Sequence, residues 1–172
     1  GIGDQAERKE IDRVEIKEVL NEIRHPVDVA VYGCGNYFNS GTIIRACHNF
    51  LVGNIYLVDT DIEDAFFKKA TMGAHRYENI HKISMMEFLD ITKENNRNVV
   101  VAERRPTLPT KTLYSFKYPD NPILFFGCER FGVPDCILNE FPENIVSIPQ
   151  YGILHDFNLA GTVSMFLYDW IS

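Results

Sequence analysis

The chain has 172 residues, room for one domain with a full core and too few for two. Apolar residues make up 45% and charged residues 24%, an ordinary globular composition, and no apolar run approaches the roughly 18 residues that a bilayer span requires. The formal net charge of −7 weighs by its sum against a nucleic-acid partner, because such partners are held largely through Lys and Arg.

Residues 8–23 read as an amphipathic helix, with Ile11, Val14, Val19 and Ile23 close to one face. Pro26 closes it, and Val27–Val31 reads as a buried strand. A Gly- and Asn-rich turn, Gly33–Gly41, leads to a helix over 41–50 that Asn39 or Ser40 can cap. Asn54–Val58 is the next strand, followed by a helix around 62–70. Ser84-Met85-Met86-Glu87 fits a capping box and opens a helix running to about Lys93. Val99–Ala102, Ile123–Phe126 and Ile145–Ile148 are further short strands, and Asn158–Ile171 is a final helix. Residues 103–122, with four prolines, form the longest irregular segment and a candidate mobile loop.

Strands alternating with helices predict an α/β fold with a mainly parallel sheet covered by helices on both faces. Residues 1–172 then form a single domain, with 1–26 as a helical extension. Ligands of such sheets bind beyond the carboxyl ends of the strands, which selects loops 33–41, 103–110, 127–134 and 149–157. The final helix is apolar around most of its circumference (Leu159, Val163, Met165, Phe166, Leu167, Trp170, Ile171), which calls for deep burial or a subunit interface, the interface being the favoured reading.

Cys34, Cys47, Cys128 and Cys136 include no C-x-x-C pair and the five histidines show no ligand spacing, so reduced thiols and no metal site are expected. The charged N-terminus carries no secretory pattern, and a cytoplasmic protein is expected. Acidic residues crowd the first 22 positions. Basic residues gather at Lys68–Lys69, His75–Arg76, His81–Lys82 and Arg104–Arg105, which allows a local basic surface despite the net charge.

Four segments are candidates for chemistry, and the last three of them carry most of it. Gly33-x-Gly35 after a strand is a weak dinucleotide fingerprint, because Phe38 occupies the third glycine position; it leaves a nucleotide-binding α/β protein as a distant option. Asn39-Ser40-Gly41-Thr42-Ile43-Ile44-Arg45 taken alone is a capping Asn with a surface Arg. Gly127-Cys128-Glu129-Arg130-Phe131-Gly132 follows an apolar strand, and its glycines permit close backbone approach and positive φ. Ile148-Pro149-Gln150-Tyr151-Gly152-Ile153-Leu154-His155-Asp156-Phe157-Asn158-Leu159 sets a polar cluster before the last helix, where helix capping is the plain alternative.

In this order and on these elements, over about residues 27–172, the three segments resemble the motifs N-x-G-x-x-x-R, G-x-E-x-x-G and I-P-M-x-G-x-x-x-S-L-N of the SpoU/TrmH branch of the SPOUT RNA methyltransferases. The resemblance implies a deep trefoil knot in the C-terminal third, an obligate homodimer and S-adenosylmethionine as cofactor. It further implies an RNA substrate, tRNA or rRNA, methylated at a ribose 2′-hydroxyl without a metal. Carried over by position, Asn39, Arg45, Glu129, Asp156 and Asn158 are the expected catalytic residues. Ala102, Gly127, Gly132, Ile148, Gln150, Asp156, Phe157 and Leu159 are the expected cofactor contacts. Gln150 stands where the family has Met, Phe157 where it has Leu, and Asp156 where it has Ser. Arginine is very hard to deprotonate, so Arg45 is expected to clamp phosphate and steady the developing alkoxide, with Asp156 or His155 as proton acceptor. The competing reading is a knotted RNA-binding or assembly protein that has lost catalysis; calorimetric titration with S-adenosylmethionine separates the two.

Overall fold

The computed structural model describes residues 2–33, 37–60, 64–103, 111–127, 132–147 and 159–172. Helix α1 (Ile2–Ile23) leads into strand β1 (Asp28–Tyr32), helix α2 (Tyr37–Asn49) and strand β2 (Ile55–Val58). Helix α3 (Asp64–Ala70), a 3-10 turn (Ala74–Arg76), β3 (Ile80–Ile83), α4 (Met85–Glu94) and β4 (Val99–Ala102) follow. The chain continues through β5 (Lys111–Thr112), β6 (Ile123–Gly127), α5 (Asp135–Glu140), β7 (Ile145–Ser147) and α6 (Leu159–Ile171).

The strands form one sheet in the order β3-β2-β1-β6-β4-β7-β5, and every described pairing is parallel. Alternate residues of each strand point to opposite faces, and the core divides accordingly. Val29, Val31, Leu57, Val100, Leu124 and Phe126 meet Ile43, Ile44 and Cys47 of α2, Phe67 of α3, and Val163, Phe166 and Leu167 of α6. On the other face Ala30, Tyr56, Val58, Val99, Val101 and Phe125 pack with Phe88 of α4 and Ile137 and Leu138 of α5. The parallel sheet with helices on both faces is therefore present. The expected knot falls in the C-terminal third, where 128–131 and 148–158 lie outside the described residues.

Several local expectations change. Helix α1 starts at Ile2 rather than residue 8, and Ile11, Val14, Val19 and Ile23 are all exposed. The half-buried residues are Arg13, Lys17 and Leu20, a different side of the helix, so the expected apolar face does not pack on this chain. Helix α2 begins at Tyr37, which puts Asn39 and the buried Ser40 inside the helix rather than at its cap. The irregular stretch 103–122 contains β5 and a 3-10 turn (Leu113–Ser115), while 104–110 lie outside the described residues. Strands β3 and β5 and helix α5 were not expected. The Ser84 capping box forms as read: Ser84 Oγ accepts from Glu87 N at 3.1 Å, and Glu87 Oε1 accepts from Ser84 N at 3.3 Å.

Two buried carboxylates tie distant segments together. Asp28 of β1 takes Arg97 Nη1 at 2.8 Å and the backbone N–H of Asn54 at 2.7 Å, joining three strand entries. Glu78, with its side chain fully buried, accepts from Arg24 Nη1 at 2.7 Å and lies 2.7 Å from His48 Nδ1 of α2. Arg24 also donates to the carbonyls of Val52 and Tyr77.

Burial raises the Glu78 carboxyl above its ordinary value, against the pull of His48 and Arg24. A carboxyl raised in the folded state contributes stability that is fully present below its unfolded value and is lost as pH rises through the folded one. Glu78→Ala strands a nearly buried guanidinium and is expected to cost about 3 kcal/mol in urea unfolding. The gap to wild type should widen as pH falls from about 7 to about 5; a gap that closes on acidification would contradict this reading.

Candidate functional site

The carboxyl ends of β1, β6, β4 and β7 stand side by side in the sheet, with Tyr32 paired to Gly127 and Ala102 paired to both Phe126 and Val146. Beyond β1 the chain runs outward through β2 and β3, and β4 and β6 lie on its other side. This reversal of strand order is where a parallel sheet opens a crevice for ligands. Ala102 and Gly127, two expected cofactor contacts, therefore lie next to each other at this edge. Leu159, at the start of α6, is buried in the core layer below, where Ala102 also packs.

Gly127 and Gly132 explain each other. A Cβ on Gly127 would stand 2.2 Å from the carbonyl carbon of Gly132 and 2.5 Å from Val133 N, so the returning chain lies directly on the end of β6. Gly132 has φ of +67°, which L side chains rarely adopt, and a Cβ there would sit 3.8 Å from Glu103 Oε2. Glu103 thus joins the site, one residue past β4, with its N–H donating to Val146 O at 3.0 Å. Sequence reading named its loop but not the residue; its place immediately after a buried strand was the available signal.

Arg45 lies on α2, half-buried, and Nη1 donates to the Met72 sulfur at 2.8 Å. Its Nε is buried and has no hydrogen-bond partner among the described residues. A thioether is a weak acceptor, so the guanidinium keeps most of its donor capacity for a stronger one. Met72 is exposed and holds φ of +52°, in the turn that ends α3. A Cβ on Gly41 would come within 2.5 Å of the Ala70 side chain and 2.6 Å of its carbonyl carbon. The motif glycine therefore lets the end of α3 lie against α2, which brings Met72 to Arg45.

Of the expected catalytic residues, Asn39 falls in α2 with its side chain outside the described part, and Glu129, Asp156 and Asn158 lie outside the described residues. So do the expected cofactor contacts Ile148, Gln150 and Phe157, and His155. Among the described residues no three His, Cys, Asp or Glu side chains form a group that could hold a metal ion. Cys47 is buried and Cys136 exposed, both as thiols, and burial pushes the Cys47 thiol far up.

The sequence matches the SpoU rRNA Methylase family over residues 26–168. It is 27% identical over 136 residues to the tRNA (cytidine(34)-2′-O)-methyltransferase of Yersinia pestis, covering 76% of this chain and 83% of that protein. The fold is shared with an AdoMet-bound rRNA methyltransferase from Sinorhizobium meliloti, with a TM-score of 0.74 and 25% identity over 88% of this chain. This chain spans 59% of that structure. The TrmH/SpoU tRNA modifying enzyme of A. aeolicus matches with a TM-score of 0.75 at 21% identity, covering 94% of this chain and 81% of that one. The parallel sheet, the glycine-lined strand ends and the match across most of its length agree: the chain belongs to the SpoU rRNA Methylase family.

Proposed function

We propose that this protein is an S-adenosylmethionine-dependent RNA methyltransferase that methylates a ribose 2′-hydroxyl, with tRNA as substrate. The observation that carries this reading is Arg45 of the family's first motif, a guanidinium held by the Met72 thioether, with a buried Nε that has no hydrogen-bond partner among the described residues. The tRNA assignment draws on the relative from Yersinia pestis.

The residues at the strand ends fit the cofactor. Ala102 and Gly127 offer backbone at the crevice with no bulky side chain between them, and Gly132 and Leu159 flank them. Ile148, Gln150, Asp156 and Phe157 complete the contact set by position. When bound, S-adenosylmethionine supplies an electrophilic methyl group on a sulfonium. The protein must bring the 2′-oxygen in line with that methyl and remove the hydroxyl proton. Arg45 stays protonated throughout; it orients an adjacent phosphate and stabilises negative charge growing on the oxygen. Asp156 is the acceptor for the proton, with His155 beside it in sequence. Asn39, Glu129 and Asn158 complete the catalytic set, and no metal is needed.

The protein acts as a homodimer in the cytoplasm. Met165, Tyr168 and Ile171 are exposed on α6, continuing the apolar character of its buried face, and a second copy covers them in this reading. No helix among the described residues is long and apolar enough to cross a membrane. Residues 1–172 act as one domain with 1–26 as its extension.

Mapping ribose methylation by mass spectrometry in a deletion strain tests the function, since one tRNA 2′-O-methyl group should vanish and return on complementation. In single turnover, Arg45→Ala should lower the rate roughly 100- to 1000-fold with cofactor affinity retained, and Arg45→Lys should not restore it. Asp156→Asn should slow the same step; wild-type rates in both Asp156→Asn and Asp156→Ser would remove Asp156 as acceptor. Gly127→Ala should weaken calorimetric binding of S-adenosylmethionine more than about tenfold, because the new methyl displaces the Gly132 backbone. Met165→Glu combined with Ile171→Glu should convert a dimer to a monomer by light scattering; a wild-type monomer would refute the dimer.

A further inference from the structure

Lys68 and Lys69 at the end of α3, Met72 and Gly73 in the turn that follows, and His75 and Arg76 in the 3-10 turn line an open depression of about 370 Å³. Lys68, Lys69 and Arg76 are exposed, and none of the three is ion-paired among the described residues. His75 is held below its ordinary value first by burial and then by Arg76, Lys68 and Arg13, and Lys68 and Arg76 line the depression with it. Arg13 is itself 3.6 Å from Glu10, which leaves the remaining cations as the uncompensated part. In a chain of net charge −7, such a gathering of like charge is unfavourable until an anion neutralises it.

Two observations give the depression a direction. Met72 lines it and also accepts from Arg45 Nη1, so the depression adjoins the guanidinium of the candidate site. The near contact of Gly41 with Ala70 fixes α3 against α2, and the Glu78 ion pairs fix the 3-10 segment against the same helix through His48. The cations thus hold a set position relative to Arg45. A single phosphate group would engage one or two of them, whereas a chain with one phosphate per nucleotide can engage a row.

We propose that this depression binds the phosphodiester backbone of the substrate RNA, on nucleotides flanking the one whose ribose reaches Arg45. The proposal rests on the RNA methyltransferase reading and names the surface through which that substrate is held. Phosphate contacts of this kind position the strand and carry no base information, so the depression sets affinity and register rather than the choice of nucleotide.

The test compares Lys68→Ala/Lys69→Ala with the matched control Lys93→Ala/Lys117→Ala, which removes two exposed lysines elsewhere. Labelled unfractionated tRNA is titrated by fluorescence anisotropy over a salt series, alongside methylation kinetics and calorimetry with S-adenosylmethionine. Lys68→Ala/Lys69→Ala should bind tRNA roughly tenfold more weakly, with a log–log salt slope shallower by between about one and two. Its KM for tRNA should rise by more than its kcat falls, and cofactor affinity should match wild type. Equal tRNA affinity and salt slope in the two double variants would overturn the proposal, as would a wild-type protein that binds no tRNA. Binding of phosphatidylserine vesicles in preference to tRNA, lost in Lys68→Ala/Lys69→Ala, would overturn it in favour of a membrane surface. If wild type binds tRNA through these lysines but methylates none, the depression stands and the methyltransferase reading fails.

Discussion

The buried carboxylate of Glu78 is the interaction on which the functional half of the molecule depends. It lies just after the 3-10 turn that carries His75 and Arg76, and its two partners come from the segment ahead of β1 and from α2. A charge taken out of water must be matched closely, or its desolvation cost is left uncompensated. Glu78 therefore specifies where these three segments meet. His48 lies three residues beyond Arg45 on α2, so the same carboxylate sets the candidate catalytic arginine against the basic turn. Asp28 does comparable work farther along the same end of the sheet, the amino ends of the strands, where Arg97 and Asn54 converge on it.

On that frame, the chemistry gathers at one sheet edge because parallel strands end together there. Ala102 and Gly127 are neighbours through register alone, and Glu103 follows from the next step of the chain. The contact between Gly127 and the backbone at Gly132 adds a second constraint, since by Gly132 the chain has returned to the end of β6. A glycine at each position is a geometric requirement of that return. The family's spaced glycines therefore have a structural cause here that does not depend on any ligand.

The layer arrangement was legible in the sequence because short apolar strand segments alternate with helical ones, as a parallel sheet covered on both faces requires. The capping box at Ser84 was legible because its two hydrogen bonds are local. Other features were hidden by distance or by context. Asp28 sits in a strand that is otherwise apolar, and its buried position makes sense only once Arg97, far along the chain, is brought to it. Strand β3 carries exposed His81 and Lys82 between half-buried isoleucines, as an edge strand does, and so reads as a basic cluster. Asn39 and Ser40 have cap chemistry, but α2 already begins at Tyr37 and the serine is buried where the helix meets its neighbours. On α1 the apolar residues read as a core face, yet Arg13, Lys17 and Leu20 form the inward side. As for the site, no periodicity pointed to a cofactor or a methyl group; joint resemblance of three motifs did.

The tight seat of Gly41 on Ala70 has a kinetic consequence. With no room at Gly41 for even a Cβ, the backbone of α2 is seated closely on the end of α3, and the two move together there. An incoming anion meets cations whose backbone is already positioned, so the ordering entropy lost on their side is confined to the side chains themselves. Capture at such a surface is governed by diffusion through the local field, so the rate of arrival responds to ionic strength far more than the lifetime of the complex does.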